Sequence, residues 1–136
     1  MKILFIGELT GNSRYHYNIL KKKSRSIHII NPSILFRKFY ILNLLFIHIS
    51  PKIFESIINL YFLYKLKNLY DLIYVTSGEY IGKKTIINLK KKTKKILLYC
   101  PDNPFVKRDK KRWSLFNQSA KYYDRIVYIQ PSRIKL

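Results

Sequence analysis

MKILFIGELTGNSR, residues 1–14, decides how the rest of the chain is read. Ile3-Leu-Phe-Ile6 is a short, continuous apolar run, and Gly7 and Gly11 follow it at once. Such a run, closed by turn residues, reads as a strand buried on both faces of a parallel sheet. The pattern recurs. Residues 27–31 are followed by Pro32, residues 71–76 by Gly78 and Gly82, residues 96–100 by Pro101 and Pro104, and residues 125–130 by Pro131. All four glycines and four of the five prolines therefore fall where an expected strand ends. Three of only seven acidic residues, Glu8, Glu79 and Asp102, fall at the same ends. In open α/β sheets ligands bind at that edge.

Helical patterns fill the intervals. In residues 14–23 Tyr15, Ile19 and Leu20 recur at helical spacing, and the basic last turn suits a helix C-terminus. Residues 33–66 form a helical insertion, in which Ser50 caps a helix starting at Pro51 and Phe54, Ile57, Ile58 and Tyr61 share a face. Residues 81–89 and 108–121 are further helices, the second with Trp113, Phe116 and Ala120 on one side. Strands alternating with helices predict an α/β, Rossmann-like doubly wound parallel sheet of about five strands, with helices on both faces. The expected sheet order is 3-2-1-4-5, with residues 1–6 central. Residues 1–136 are expected to be a single domain, long enough to bury roughly two-thirds of its unfolded surface.

The 27 lysines and arginines against seven acids leave a net charge of +20. A polyanion partner is one explanation. The other is codon bias: Lys, Ile, Asn, Tyr and Phe abound, while Met and Trp occur once each. On that view the basic runs at 21–23, 83–95 and 107–112 are solvated faces spread over different helices. They lack the interleaved aromatics of a single-strand platform and any helix-turn-helix or zinc-finger pattern, which speaks against nucleic acid. Cys100 is the only cysteine, so no internal disulfide and no zinc cluster can form; it reads as a small core residue. No signal peptide is visible, and a cytoplasmic chain is expected. The longest uncharged stretch, residues 39–51, has 13 residues, and a membrane span needs about 20. No transmembrane segment is expected, and peripheral membrane contact is the lesser alternative for the insertion.

Three loops could carry chemistry. Gly7-Glu8-Leu-Thr-Gly11-Asn-Ser-Arg14 lets the backbone approach a ligand and ends in a helix start that attracts anions, although it lacks G-x-G-x-x-G. Thr76-Ser-Gly78-Glu79-Tyr80 places a carboxylate after strand three, for hydroxyl binding or for capping the next helix. Tyr99-Cys-Pro101-Asp102-Asn103-Pro104-Phe105 is a rigid polar turn. His16, His28 and His48 show no metal-ligand spacing, and no Walker A or nucleophile elbow is present. No catalytic residue is assigned.

The opening Met1-Lys-Ile-Leu-Phe-Ile-Gly-Glu8 with Gly11-Asn-Ser-Arg14 resembles bacterial glycosyltransferases of the two-Rossmann GT-B type. The nearest group is the spore-maturation-protein-like or group 1 glycosyltransferases. Asp71-Leu-Ile-Tyr-Val with Gly78, Leu98-Tyr-Cys-Pro-Asp-Asn-Pro-Phe105, Tyr123-Asp124-Arg-Ile-Val-Tyr and Pro131-Ser132 extend the likeness over all but the insertion. The resemblance implies an N-terminal, acceptor-side domain whose C-terminal partner domain, the part that binds the nucleotide-sugar donor, is absent here. The chain itself would bind no cofactor, the nucleotide-sugar donor belonging to the full-length enzyme, and would be inactive alone. A sugar or glycan acceptor would meet Gly7, Glu8, Gly11 and Arg14 from the first loop, Gly78 and Glu79 from the second, and Asp102 and Asn103 from the third. Tyr123-Asp124 would be structural. The rivals are a basic non-enzymatic module for nucleic acid or anionic membrane, and a flavodoxin-like or receiver-like module. The first strand lacks the paired acids that a receiver needs.

Overall fold

The computed structural model of the chain describes residues 1–105 and 111–129. Five strands, β1 (Lys2–Ile6), β2 (Ser26–Ile30), β3 (Leu72–Thr76), β4 (Ile96–Cys100) and β5 (Arg125–Tyr128), form one all-parallel sheet. The helices between them are α1 (Gly11–Lys23), α2 (Ile34–Arg37), α3 (Tyr40–His48), α4 (Glu55–Lys65), α5 (Lys83–Lys90) and α6 (Ser114–Ser119). Short 3₁₀ turns, Pro51–Phe54 and Ala120–Tyr122, precede α4 and follow α6. This is the expected α/β, Rossmann-like class. Residues 106–110, part of the expected helix 108–121, and Gln130, Pro131 and Ser132 lie outside the described residues.

The strand order differs from expectation. It is β2-β1-β3-β4-β5, so β3 is central and β1 lies between β2 and β3. Both ends of the β1–β3 pair are pinned. At the lower end Asp71 accepts a hydrogen bond from the Lys2 amide at 2.5 Å and returns its own amide to the Lys2 carbonyl at 2.9 Å. At the upper end the Thr76 hydroxyl donates to the Ile6 carbonyl at 3.3 Å. These contacts hold β3 against β1 and send β2 to the sheet edge. The order is the flavodoxin-like one among doubly wound sheets.

The two faces are covered unequally. Leu4, Ile6, Ile73, Val75, Ile96 and Leu98 point into the main core, with Ile58, Phe62, Ile86, Leu89, Trp113 and Phe116 above them. Phe5 and Tyr74 lie on the other face beneath α1. Phe5 meets the Tyr17 ring edge-on at 5.5 Å and stacks on Tyr74 at 5.8 Å. His16 Nδ1 is 2.5 Å from the Tyr74 hydroxyl, which burial, with Tyr99 beside it, pushes up to about 12.

The insertion packs on the main-core face through an aromatic cluster: Phe36 lies 4.8 Å from Phe46 and 5.2 Å from Phe54, ring centre to ring centre. Ser50 caps as expected, accepting from the Lys52 amide at 3.2 Å. Phe54 and Ile58 are buried, but Ile57 turns outward and is 56% exposed. Ile57 lies within α4, one residue (about 100°) around the helix from Ile58, and the face that docks on the core is the one carrying Ile58 and Phe62.

The lysines gather instead of spreading. In a parallel sheet every connecting helix runs back against the strands, so each helix C-terminus meets the edge where strands begin. The C-terminal turns of α1 (Lys21, Lys22, Lys23), α4 (Lys65) and α5 (Lys90) are basic, as the helix dipole favours. With Lys2, Arg25, Lys67, Lys91, Lys92, Lys94, Lys95, Lys121 and Arg125 they place 14 of the 22 cationic residues among the described residues at that edge. Among the described residues no helix is long and apolar enough to cross a membrane.

Asp124 joins β4 to β5 as the structural residue expected there. Its carboxylate accepts from the Ile96 amide at 2.7 Å and from Lys90 Nζ at 3.1 Å. Burial opposes the charge, but those two partners, with Lys95 nearby, outweigh it and hold the pKa below the usual carboxylate range. A lowered native pKa stabilises fully above the ordinary carboxylate pKa and is lost as pH falls through the lowered value. Asp124→Asn is therefore expected to lower the urea midpoint at neutral pH, with the difference starting to close only below about pH 4 and vanishing once pH falls below the lowered native value. An offset that stays constant down the acid limb would contradict this.

Candidate functional site

The upper edge of the sheet opens between β1 and β3, where successive connections leave toward opposite faces. Gly7 follows β1 with φ +147°, and a Cβ there would lie 1.8 Å from the Thr76 hydroxyl oxygen. Only glycine lets the two strand ends approach so closely. After β3, Ser77 and Gly78 both take left-handed backbone, with φ of 72° and 79°. That turn carries the chain sideways and lifts Glu79 and Tyr80 over the opening.

The result is a cleft of about 210 Å³. Its walls carry Glu8, Thr10 and Ser13 from the first loop, Asn31 and Ser33 after β2, Thr76, Ser77, Glu79 and Tyr80 after β3, and Arg112 before α6. Asn31 Oδ1 accepts from the Ser33 amide at 3.1 Å and the Ser33 hydroxyl at 2.7 Å, which fixes that wall. The N-terminus of α1 adjoins the opening. Its N-cap, Thr10, makes no side-chain bond to the first turn; the Ser13 amide turns back to the Thr10 carbonyl at 3.0 Å, which leaves the Gly11 and Asn12 amides and the Thr10 hydroxyl to face a ligand.

Both carboxylates at the cleft are paired. Arg112 Nε donates to Glu79, which is 8% exposed, and Arg37 pairs with Glu8. Burial opposes the Arg112 charge, but Glu79's hydrogen bond and charge more than compensate and hold the guanidinium pKa above its ordinary value. Burial, with the Glu79 charge beside it, also drives the Tyr80 hydroxyl well above its ordinary range. Tyr80 therefore stays a hydrogen-bond donor at neutral pH. Each carboxylate is engaged by an arginine, so neither is a free base. Cys100 lies behind the site, donating to the Asp102 carbonyl at 3.1 Å. Burial, then the Asp102 charge, pushes its thiol up to about 12, so it does not act as a nucleophile. Among the described residues no group of His, Cys, Asp and Glu could hold a metal ion.

Of the eight expected binding residues, Gly7, Glu8, Gly78 and Glu79 line the cleft. Gly11 begins α1 beside it without lining it. Arg14 turns back, its Nε donating to the Leu9 carbonyl at 3.2 Å. Asp102 and Asn103 also lie outside the lining. Asn103 Oδ1 accepts from the Phe105 amide at 3.0 Å, which makes that loop a structural turn. Glu79 does not cap α5; the Lys84 amide in its first turn is met by Glu55 at 3.1 Å. Arg112 was hidden in a basic run that reads as solvated. The adjoining Trp113, 1% exposed and 5.6 Å from the guanidinium, is the signal that the run turns inward there. Asn31-Pro-Ser33 carries an Asx-turn signature that could have drawn attention to the second wall.

No family model, no curated protein and no solved structure matches the chain.

The ion pair sets a test. Arg112→Met leaves Glu79 buried and unpaired, and is expected to cost about 2 kcal/mol, less than a fully buried pair because Arg112 is partly exposed. Adding Glu79→Gln should restore most of that loss in urea unfolding. A double variant no better than the single one would show that the pair is not coupled.

Proposed function

We propose that this chain is the acceptor-side Rossmann-like domain of a glycosyltransferase, and that the cleft at the β1–β3 opening holds a sugar ring of the acceptor. The cleft itself carries this reading. Thr10, Ser13, Ser33, Ser77 and Tyr80 offer hydroxyls, Asn31 offers an amide, and Glu8 and Glu79 are paired with arginines. Convergent donors and acceptors of this kind match a polyhydroxylated ligand. A cleft of about 210 Å³ is below the usual range for drug-sized ligands and suits one small polar unit. The stretches that resemble the glycosyltransferase family, above all Leu98-Tyr-Cys-Pro-Asp-Asn-Pro-Phe105, support the family. A second Rossmann domain would bind the nucleotide-sugar donor, and the reaction would take place between the two in the cytoplasm. In that arrangement this chain orients the acceptor; no residue in it is assigned as the base.

The strand order is shared with flavodoxin-like modules, which favours that reading as the second one. Fold alone carries no substrate, however, and the end of β1 is Gly7-Glu8 where a phosphoacceptor site needs paired acids.

Saturation-transfer NMR of the chain with a panel of simple hexoses and disaccharides tests the proposal. Contact with at least one sugar is expected, and Ser13→Ala with Tyr80→Phe should weaken it about tenfold or more, one hydrogen bond being worth about 1 kcal/mol. Absence of contact across the panel, or contact indifferent to both substitutions, would remove the acceptor reading.

A further inference from the structure

We infer that the basic edge of the sheet, together with the outer side of α4, docks on an anionic lipid surface. The inference is independent of the cleft and uses none of its residues. Helix α4 carries two apolar stripes. One, with Ile58 and Phe62, is buried in the core. The other has Ile57, Leu60 and Tyr64 at helical spacing on the opposite side, and Leu60 and Tyr64 are 64% and 70% exposed. A helix that only meets water on its outer side has polar residues there. This one runs its second stripe directly into the cationic edge. The ammonium groups of Lys65 and Lys67 each lie 5.6 Å from the centre of the Tyr64 ring. The carboxylates at that edge are committed, Asp71 to the Lys2 amide and Asp124 to the Ile96 amide and Lys90.

The combination selects the partner. A nucleic-acid backbone would take the lysines but leave Ile57 and Leu60 in water. A second copy of the chain would cover the stripe but would bring two cationic rims of a +20 protein together. A bilayer with acidic headgroups takes both: aliphatic side chains enter the acyl boundary, a tyrosine sits at the interface, and lysines meet the headgroups. Neither signal suffices alone, since weak apolar insertion and polybasic attraction act together in stable peripheral binding. The cleft, at the opposite edge of the sheet, stays clear of the bound surface.

Co-sedimentation of the full chain with phosphatidylcholine vesicles, with and without phosphatidylglycerol, tests this. Binding is expected only to the acidic vesicles, and added salt should weaken it. Leu60→Ser with Tyr64→Ser, both at exposed positions, should reduce partitioning about tenfold, and Lys65→Glu with Lys67→Glu should do the same. Circular dichroism should show both variants folded, and the charge-reversed pair keeps the test open should the first lose its fold. Failure to bind acidic vesicles, or equal binding to neutral ones, would overturn the proposal. So would duplex DNA binding that is indifferent to the Leu60 and Tyr64 changes while vesicles are ignored. A concentration-dependent dimer lost in the Leu60 variant, without vesicle binding, would give the face to a second copy.

Discussion

The pairing of β1 with β3 governs the rest of the molecule. Once Asp71 locks to Lys2 below and Thr76 to Ile6 above, β2 is forced outward and the chain between β2 and β3 must cross over β1. That crossing sets α2, α3 and α4 on one face, while α1 is left to cover the other. The same pairing leaves the strand ends parted above, where connections leave to opposite sides. The cleft is thus a consequence of strand order, and Gly7 is what allows the strands beneath it to close. An alanine there would push against Thr76, the residue that ties the upper end of the pair.

Much of this was legible in the sequence because it is local. Each strand is a short apolar run followed by glycine or proline, and all five appear within two residues of the expected bounds. Ser50-Pro51 announces its own helix start through a hydrogen bond two residues away. Strand order is not local. Both 3-2-1-4-5 and the observed order satisfy the same alternation and the same crossover handedness. What separates them is whether the third strand pairs with the first, and that depends on contacts 69 and 70 residues apart in the chain. The Arg112–Glu79 pair spans 33 residues and has the same difficulty, with an arginine concealed among lysines. Likewise, Ile57 and Ile58 both fall within helical reach of Phe54, and only the docking of α4 on the core decides that Ile58 turns inward and Ile57 outward.

Charge is where a local reading misled most. The runs at 21–23 and 83–95 do belong to separate helices or their ends, which suggests dispersal. Yet dipole preference puts basic residues at helix C-termini, and a parallel sheet brings every such terminus to one side. A composition bias alone, acting on this topology, builds a cationic edge. The origin of the lysines and their effect are therefore separate questions: a surface can arise from codon usage and still attract polyanions.

The two edges follow from one rule applied in opposite senses. Helix N-termini, glycine turns and paired carboxylates collect where the strands end; helix C-termini and lysines collect where they begin. On the proposed reading the first edge would select small polar ligands by shape and hydrogen bonding, because the carboxylates of its cleft are already paired with arginines. The second edge has most of its charge uncompensated and next to exposed leucine and tyrosine, so on the docking proposal it would favour extended anionic surfaces over small molecules. A protein divided in this way can hold a surface with one end and leave the other open to a soluble ligand. That division needs no hinge or second state, only the direction in which parallel strands run.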